Sequence, residues 1–117
     1  MTDHCESLLV DCRLRAATDL FTHMWDPVIL AGLRAGPRRR VDLLTTTGGL
    51  RDKVLTDTLR RLLANGLVER RRRPAAPPHV EYSLTPLGAS LVDGPMRALA
   101  DWITTHGDEL LAAQESL

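Results

Sequence analysis

A chain of 117 residues, 44% of them apolar, is sized for one domain with a modest core and leaves no room for a second. Fifteen basic and fifteen acidic side chains cancel, so bulk charge identifies no partner, and no apolar run is long enough to span a bilayer. Two cysteines, Cys5 and Cys12, are too few for a disulfide scaffold, and the opening Met-Thr-Asp-His-Cys-Glu is not a secretory signal, so a cytoplasmic chain with reduced thiols is expected.

In chain order, residues 6–24 carry a weak amphipathic pattern built on Leu8, Leu9, Cys12, Ala16, Leu20 and Met24. Asp26-Pro27 reads as a helix start, an aspartate cap followed by proline at the first helical position, with the helix running Val28 to Ala35 and stopping at Gly36-Pro37. A short helix near Val41–Thr46 follows, and Gly48-Gly49 turns the chain into the next element. That element, about residues 51–65, places Leu55, Leu59, Leu62 and Leu63 on one stripe and Lys53, Asp57, Arg60 and Arg61 opposite, with Thr56 on the flank. Asn65-Gly66 ends it, because glycine takes the left-handed cap conformation without steric cost.

Leu67 to Arg73 then reads as a strand loaded with arginine, Pro74 to Pro78 as a projecting loop, and His79 to Leu84 as an alternating return strand. Thr85-Pro86 repeats the cap-plus-proline device. The last helix carries Leu91, Leu99, Trp102, Ile103, His106 and Leu110 on one side, with a kink expected at Gly94-Pro95. The order gives a fold that is mostly α with a small β-hairpin. It is the layout of a winged helix-turn-helix, with a recognition helix at about 51–65 and a wing at about 70–82.

The distribution of charge supplies what the net value hides. Residues 38–73 hold eleven basic side chains against four acidic ones, while residues 1–26 sum to −3 and residues 74–117 to −5. A basic middle that coincides with a recognition helix and a wing is a footprint for double-stranded DNA. The terminal helices, each with a tryptophan (Trp25, Trp102), bring more apolar surface than one winged core can bury, so a homodimer is expected. The organisation is then a single domain, with a winged core at 27–85 between helical dimerisation arms at 1–26 and 86–117.

From Cys12 to Gly88 the chain resembles the HxlR-type transcriptional regulators, a winged-helix group related to the MarR regulators. The resemblance is carried by Cys12, Trp25, Gly36-Pro37-Arg38, Asp42-Leu43, Lys53-Val54-Leu55-Thr56, Gly66-Leu67-Val68 and Val80-Glu81-Tyr82, and by Leu84-Thr85-Pro86-Leu87-Gly88. It implies a dimeric DNA-binding regulator, expected to be a repressor, whose N- and C-terminal helices form the dimer interface. The group includes regulators of responses to aldehydes, quinones and oxidants. This chain departs from the pattern at Thr22-His23-Met24 in place of Gly-Gly-Lys, and at Thr47 in place of an apolar residue. It also has Arg40 where a phenylalanine opens the second helix, and Arg51 where a serine caps the recognition helix. The last two add positive charge near the DNA.

Base readout is expected from Lys53, Thr56 and Arg60, since arginine forks onto guanine and threonine meets a thymine methyl. Asp57 reads better as an i,i+4 partner of Lys53 or Arg61 than as a cytosine contact. Arg38, Arg39, Arg51, Arg61, Arg71, Arg72 and Arg73 are expected on phosphates or in a minor groove, although strand alternation sends only some of the hairpin arginines to one side. Cys12 is either a small buried core residue or, as the resemblance implies, a redox switch, with a Cys5–Cys12 bridge as a variant. Trp25, Leu99, Trp102, Ile103 and His106 are candidates for the dimer interface and for a pocket that takes a small-molecule or electrophile effector.

His4, Cys5, Cys12 and His23 have metal-ligand chemistry, but their spacings fit no zinc motif, so no metal or cofactor is expected. No phosphate loop or activated nucleophile pair supports an enzyme. The competing reading is a winged helix used as a protein-interaction adaptor without specific DNA binding.

Overall fold

The computed structural model describes residues 12–116. The elements are α1 (Cys12–Asp19), α2 (Trp25–Gly32), β1 (Arg38–Arg39), α3 (Arg40–Thr47), α4 (Asp52–Ala64), β2 (Val68–Arg73), β3 (His79–Leu84) and α5 (Pro86–Leu91). A π-helical turn (Val92–Met96) then leads into α6 (Arg97–Glu115). The three strands form one antiparallel sheet in the order β1-β3-β2. Leu8, Leu9, His4 and Cys5, and with them the Cys5–Cys12 bridge and any metal set using the first two ligands, lie outside the described residues.

The core is a leucine cluster where α2, α3 and α4 meet the base of the hairpin. Ile29, Leu30 and Leu33 come from α2 and its cap, Leu43 from α3, Leu55, Leu59 and Leu62 from α4, and Leu67 and Val68 from the entry to β2. Val92, beyond the winged segment, joins them. The α4 stripe is as its spacing predicts, except that Leu63 is only partly buried and Thr58 is fully buried.

The end of α4 shows how the sequence turns a helix into a strand. Gly66 sits at φ 70°, where a side chain would be strained. Its N–H donates to the Leu63 carbonyl at 3.1 Å, and the Leu67 N–H donates to the Leu62 carbonyl at 3.0 Å, which is a Schellman closure over two buried leucines. Thr85 stitches the far end of the hairpin to this turn. Its hydroxyl donates to the Gly66 carbonyl at 2.6 Å and accepts from the Gly88 N–H at 3.0 Å, capping α5, with Pro86 at the first turn. A Cβ on Gly88 would overlap the Leu67 carbonyl, so only glycine fits. The Leu-Thr-x-x-Gly signature is thus a packing requirement.

Four expectations are corrected. The first described helix ends at Asp19, and residues 20–22 continue as single turns with i→i+3 bonds of 3.1–3.2 Å. Helix α2 begins at Trp25, so Asp26 lies inside the first turn rather than capping it, and its carboxylate is drawn to Arg61. That helix closes at Leu33, short of Ala35. Arg38 and Arg39 form a third strand, pairing with Tyr82 and Glu81, which two residues without an alternating pattern do not signal.

The kink at Gly94-Pro95 is present as the π-helical turn. Proline supplies no amide hydrogen, and its ring crowds the carbonyl four residues back, so the helix widens by one residue. Beyond it α6 has no buried residue, and Leu99, Trp102, Ile103 and Leu111 are between 44% and 57% exposed. Helix α1 likewise buries nothing.

Replacing Gly88 by alanine is expected to cost about 3 kcal/mol, at the upper end for overpacking, because backbone must move on both sides. A urea melt of Gly88→Ala with an unchanged midpoint contradicts the packing account.

Candidate nucleic-acid interface

Helix α4 presents its polar face through 13 residues bounded by Arg51 and Asn65. Lys53 is almost wholly exposed and makes a loose i,i+4 pair with Asp57 at 3.8 Å, the partnership favoured for that aspartate. Arg60 is exposed and has no carboxylate partner among the described residues. Arg51 is exposed at the N-cap, where an arginine side chain has no oxygen to accept a backbone N–H.

Arg40 supplies what Arg51 does not. From the start of α3 its guanidinium reaches across to the first turn of α4. Nε and Nη2 lie 3.2 and 2.8 Å from Asp52 Oδ1, and Nη2 also donates to the Asp52 carbonyl at 2.7 Å and to Thr56 Oγ1 at 2.6 Å. Thr56 in turn donates to the Asp52 carbonyl at 3.1 Å. The arginine standing where the related regulators have a phenylalanine is therefore a polar clamp between the two helices of the motif. Thr47, the other departure, bonds back to the Leu43 carbonyl at 2.9 Å.

Arg61 does not join the outward face. Its Nη2 lies 2.8 Å from Asp26 Oδ1, and its Nε lies 3.2 Å from Oδ2, a bidentate pair in which Asp26 is nearly fully buried. Nη2 also reaches the buried Thr58 hydroxyl at 3.2 Å. The hydrogen bond to Asp26 raises the Arg61 pKa above its ordinary value against the cost of burial, so the guanidinium stays charged. Helical geometry puts residue 61 on the α2 side of α4, where it meets the buried Asp26 carboxylate. Counting Arg61 among the DNA contacts is corrected on that ground.

The hairpin arginines divide by strand alternation. Glu69, Arg71, Arg73, Glu81 and Ser83 share one face. There Arg71 lies 3.5 Å from Glu69 and Arg73 lies 2.8 Å from Glu81, with Ser83 bonded to Glu69 at 3.3 Å. The Glu81 carboxyl is held below its ordinary range by Arg73 first and by His79 second. Its other oxygen is 3.2 Å from His79 Nε2, while His79 Nδ1 is buried without a partner. Arg71 and Arg73 are thus each paired with an acid on the same face. Arg70 and Arg72 project from the opposite face, where Arg70 sits across from Tyr82. Arg70 is not among the DNA contacts expected from the sequence. Period-2 spacing from the buried Val68 was the signal that could have found it.

Arg39 is exposed on the edge strand and its amide donates to Asp42 Oδ2 at 3.2 Å, closing the start of α3; Arg38 beside it is half-buried. Cys12 is free and exposed on α1, so it is not a core residue of the described chain. Trp25 packs against the core, whereas the cleft beside Trp102 and His106 is lined by Glu109, Leu110 and Ala113 of the same helix. Within one chain, Trp25 and the Trp102–His106 cleft therefore lie in separate places among the described residues. The larger apolar cleft, about 350 Å³, lies instead between α1 and α5 and includes Ala16, Leu20, Leu67, Leu87 and Pro95. Among the described residues no helix is long and apolar enough to cross a membrane.

Comparison with known proteins gives a consistent result. Residues 20–110 match the family described as HxlR-like helix-turn-helix. The uncharacterized HTH-type transcriptional regulator YtfH of Escherichia coli K12 is 41% identical over 104 residues, covering 89% of this chain and 82% of that relative. The solved structure of ytfH from Salmonella typhimurium superposes with a TM-score of 0.70 at 42% identity, over 86% of this chain and 89% of that one. The reduced form of the transcriptional regulator YodB from Bacillus subtilis gives 0.69 at 33% identity, over 76% and 89%, and a diamide-treated form of YodB gives the same score.

The ion pair between α2 and α4 yields an asymmetric prediction. Arg61→Leu strands a buried carboxylate and is expected to cost about 3 kcal/mol, whereas Asp26→Leu leaves an arginine able to turn to water and costs about 1–2 kcal/mol. The double variant should be less destabilised than the two losses combined, and equal single losses in urea melts would reject the account. For the wing, the lowered Glu81 pKa means its contribution is present above the unfolded carboxyl value near 4.5 and disappears as pH falls through the folded value. A side-chain NMR titration should show Glu81 protonating below the ordinary carboxylate range, and Arg73→Gln should move it upward.

Proposed function

The chain belongs to the HxlR-like helix-turn-helix family of transcriptional regulators, and from that premise we propose that it represses transcription as a homodimer bound to specific double-stranded DNA. Helix α4 enters the major groove and the hairpin lies on the flanking backbone. The observation that carries this reading is the division of partners on α4. Its two acids, Asp52 and Asp57, are matched by Arg40 and Lys53, and its inward arginine by Asp26, while Arg60 stands on the outer face without a carboxylate. A protein-binding adaptor has no use for that arrangement.

The dimer reading rests on α1 and α6, which bury nothing and expose Leu14, Leu99, Trp102, Ile103 and Leu111. Apolar surface on that scale calls for a second copy, and a two-fold dimer also sets two recognition helices about one DNA turn apart. Cys12, exposed on α1, is placed to couple thiol chemistry to such an interface. The existence of reduced and diamide-treated structures of YodB supports testing oxidants first. The cleft between α1 and α5 is the alternative seat for an apolar effector.

Fluorescence anisotropy on a duplex from the gene's own upstream region, against a scrambled duplex and across salt, tests the central claim. Selective, steeply salt-dependent binding is expected, and Arg60→Ala should weaken it by about 1–3 kcal/mol while relaxing preference at one position. Diamide should release the duplex from the natural protein and not from Cys12→Ser. Release from both would move the signal away from Cys12, and no binding to any duplex at low salt would make the adaptor reading the leading one.

A further inference from the structure

On the wing side of α4 a recess of about 290 Å³ opens between the helix, the start of α3 and the sheet. Arg40, Arg60 and Arg70 line it, together with Thr56, Tyr82 and an apolar floor that includes Leu59. The three arginines come from three different elements, and no acidic residue is among those lining the recess. Asp52, 2.8 Å from Arg40, offsets one charge from outside it. Among the described residues, two of the three positive charges are thus left without an acid beside a shared recess, an arrangement that favours an anion.

Arg40 is also pre-set. Its Nε and Nη2 are fixed by Asp52 and Thr56, and Thr56 uses its own hydrogen on the Asp52 carbonyl, so both groups are oriented. Nη1 of Arg40 has no partner among the described residues, nor do the guanidinium groups of Arg60 and Arg70. Arg40 is oriented with Nη1 still free, guanidinium donors suit tetrahedral oxyanions, and the recess has room for one or two phosphates but not for a drug-sized ligand.

We propose that this recess is a phosphate-binding site in which Arg40, Arg60 and Arg70 converge on the ligand. Two sources share the chemistry: a backbone phosphate of a bound duplex, and a free phosphate-rich anion. The first deepens the DNA-binding reading and rests on it; the second does not. Arg60 would then stand at the boundary between groove and backbone, and Arg70 would hold phosphate without reading sequence.

The test uses the whole protein with inorganic pyrophosphate as the free probe, at constant ionic strength. Arginine side-chain Nε–H signals of Arg40, Arg60 and Arg70 should shift on titration, and Arg70→Gln should abolish the response while Arg97→Gln, on α6 away from the recess, keeps it. On DNA, Arg70→Gln should weaken binding about ten-fold on the gene's own duplex and on a scrambled one alike, and reduce the salt slope by about one. Pyrophosphate that competes with the duplex identifies a backbone phosphate as the natural occupant. Pyrophosphate that saturates the recess without disturbing the duplex identifies a free anion.

If Arg70→Gln matches the natural protein in salt slope and pyrophosphate shifts none of the three arginines, while DNA still binds selectively, the recess is not a phosphate site and the regulator reading survives. If no duplex binds but pyrophosphate still shifts the three arginines, the regulator reading fails and the anion site stands. Far-UV spectra and urea midpoints of Arg70→Gln guard against misfolding, and Arg40→Lys provides a second variant. It keeps the charge but cannot fork onto both Asp52 and a phosphate, so its pyrophosphate affinity should fall about ten-fold.

Discussion

The Asp26–Arg61 pair sets the orientation of the recognition helix. A carboxylate buried among leucines is tolerable only with a matched cation, and the bidentate geometry allows one rotation of α4 about its axis against α2. Leu55, Leu59 and Leu62 alone would permit small slides, because leucines repack at little cost. With Arg61 committed inward, Lys53 and Arg60 are the residues that must face out. The pair thus contributes specificity of arrangement more than net stability, since desolvation of both groups offsets much of their attraction.

The same logic of matched charges runs through the motif. Arg40 engages Asp52 and Thr56 at the first turn of α4, Lys53 engages Asp57, and on one face of the hairpin Arg71 and Arg73 engage Glu69 and Glu81. Among the described residues of the basic segment, Arg38, Arg39, Arg51, Arg60, Arg70 and Arg72 remain without a side-chain carboxylate partner, on β1, at the start and outer side of α4 and on the other face of the hairpin. Charge density in the sequence therefore overstates the number of arginines available to DNA. Every second hairpin arginine supports the wing, and its neighbours are left to interact beyond the chain.

The hairpin is fixed to the helix by a second, uncharged device. The left-handed Gly66, the Schellman closure onto Leu62 and Leu63, the Thr85 hydroxyl and the side-chain-free Gly88 lock the start of β2 to the start of α5. The junction ties β2 directly to α5, while the apolar side chains of α1 and α6 on either side of the winged core remain exposed.

Much of the architecture was legible from the chain alone, because it rests on local rules. The period-3.6 leucines gave α4, Asn65-Gly66 its end, Thr85-Pro86 the start of α5, Gly94-Pro95 the interruption, and the proline-rich tip the projection of the wing. These depend on backbone geometry within a few residues, which sequence encodes directly. Missing from that reading were the facts that depend on which side chains meet across elements. Asp26 looked like a helix cap and is a buried counter-ion, because its partner is 35 residues away. Arg61 is placed outward by spacing alone, and nothing in the spacing of Arg38 and Arg39 signals β1. Arg40 looked like an added surface charge and is a clamp, while Arg70 is not among the DNA contacts expected from the sequence. Composition and spacing determined that this chain makes a basic winged helix; only the tertiary structure decided which arginines hold the fold together and which are left for an anion, because a charge takes its role from the nearest opposite charge in space rather than in sequence.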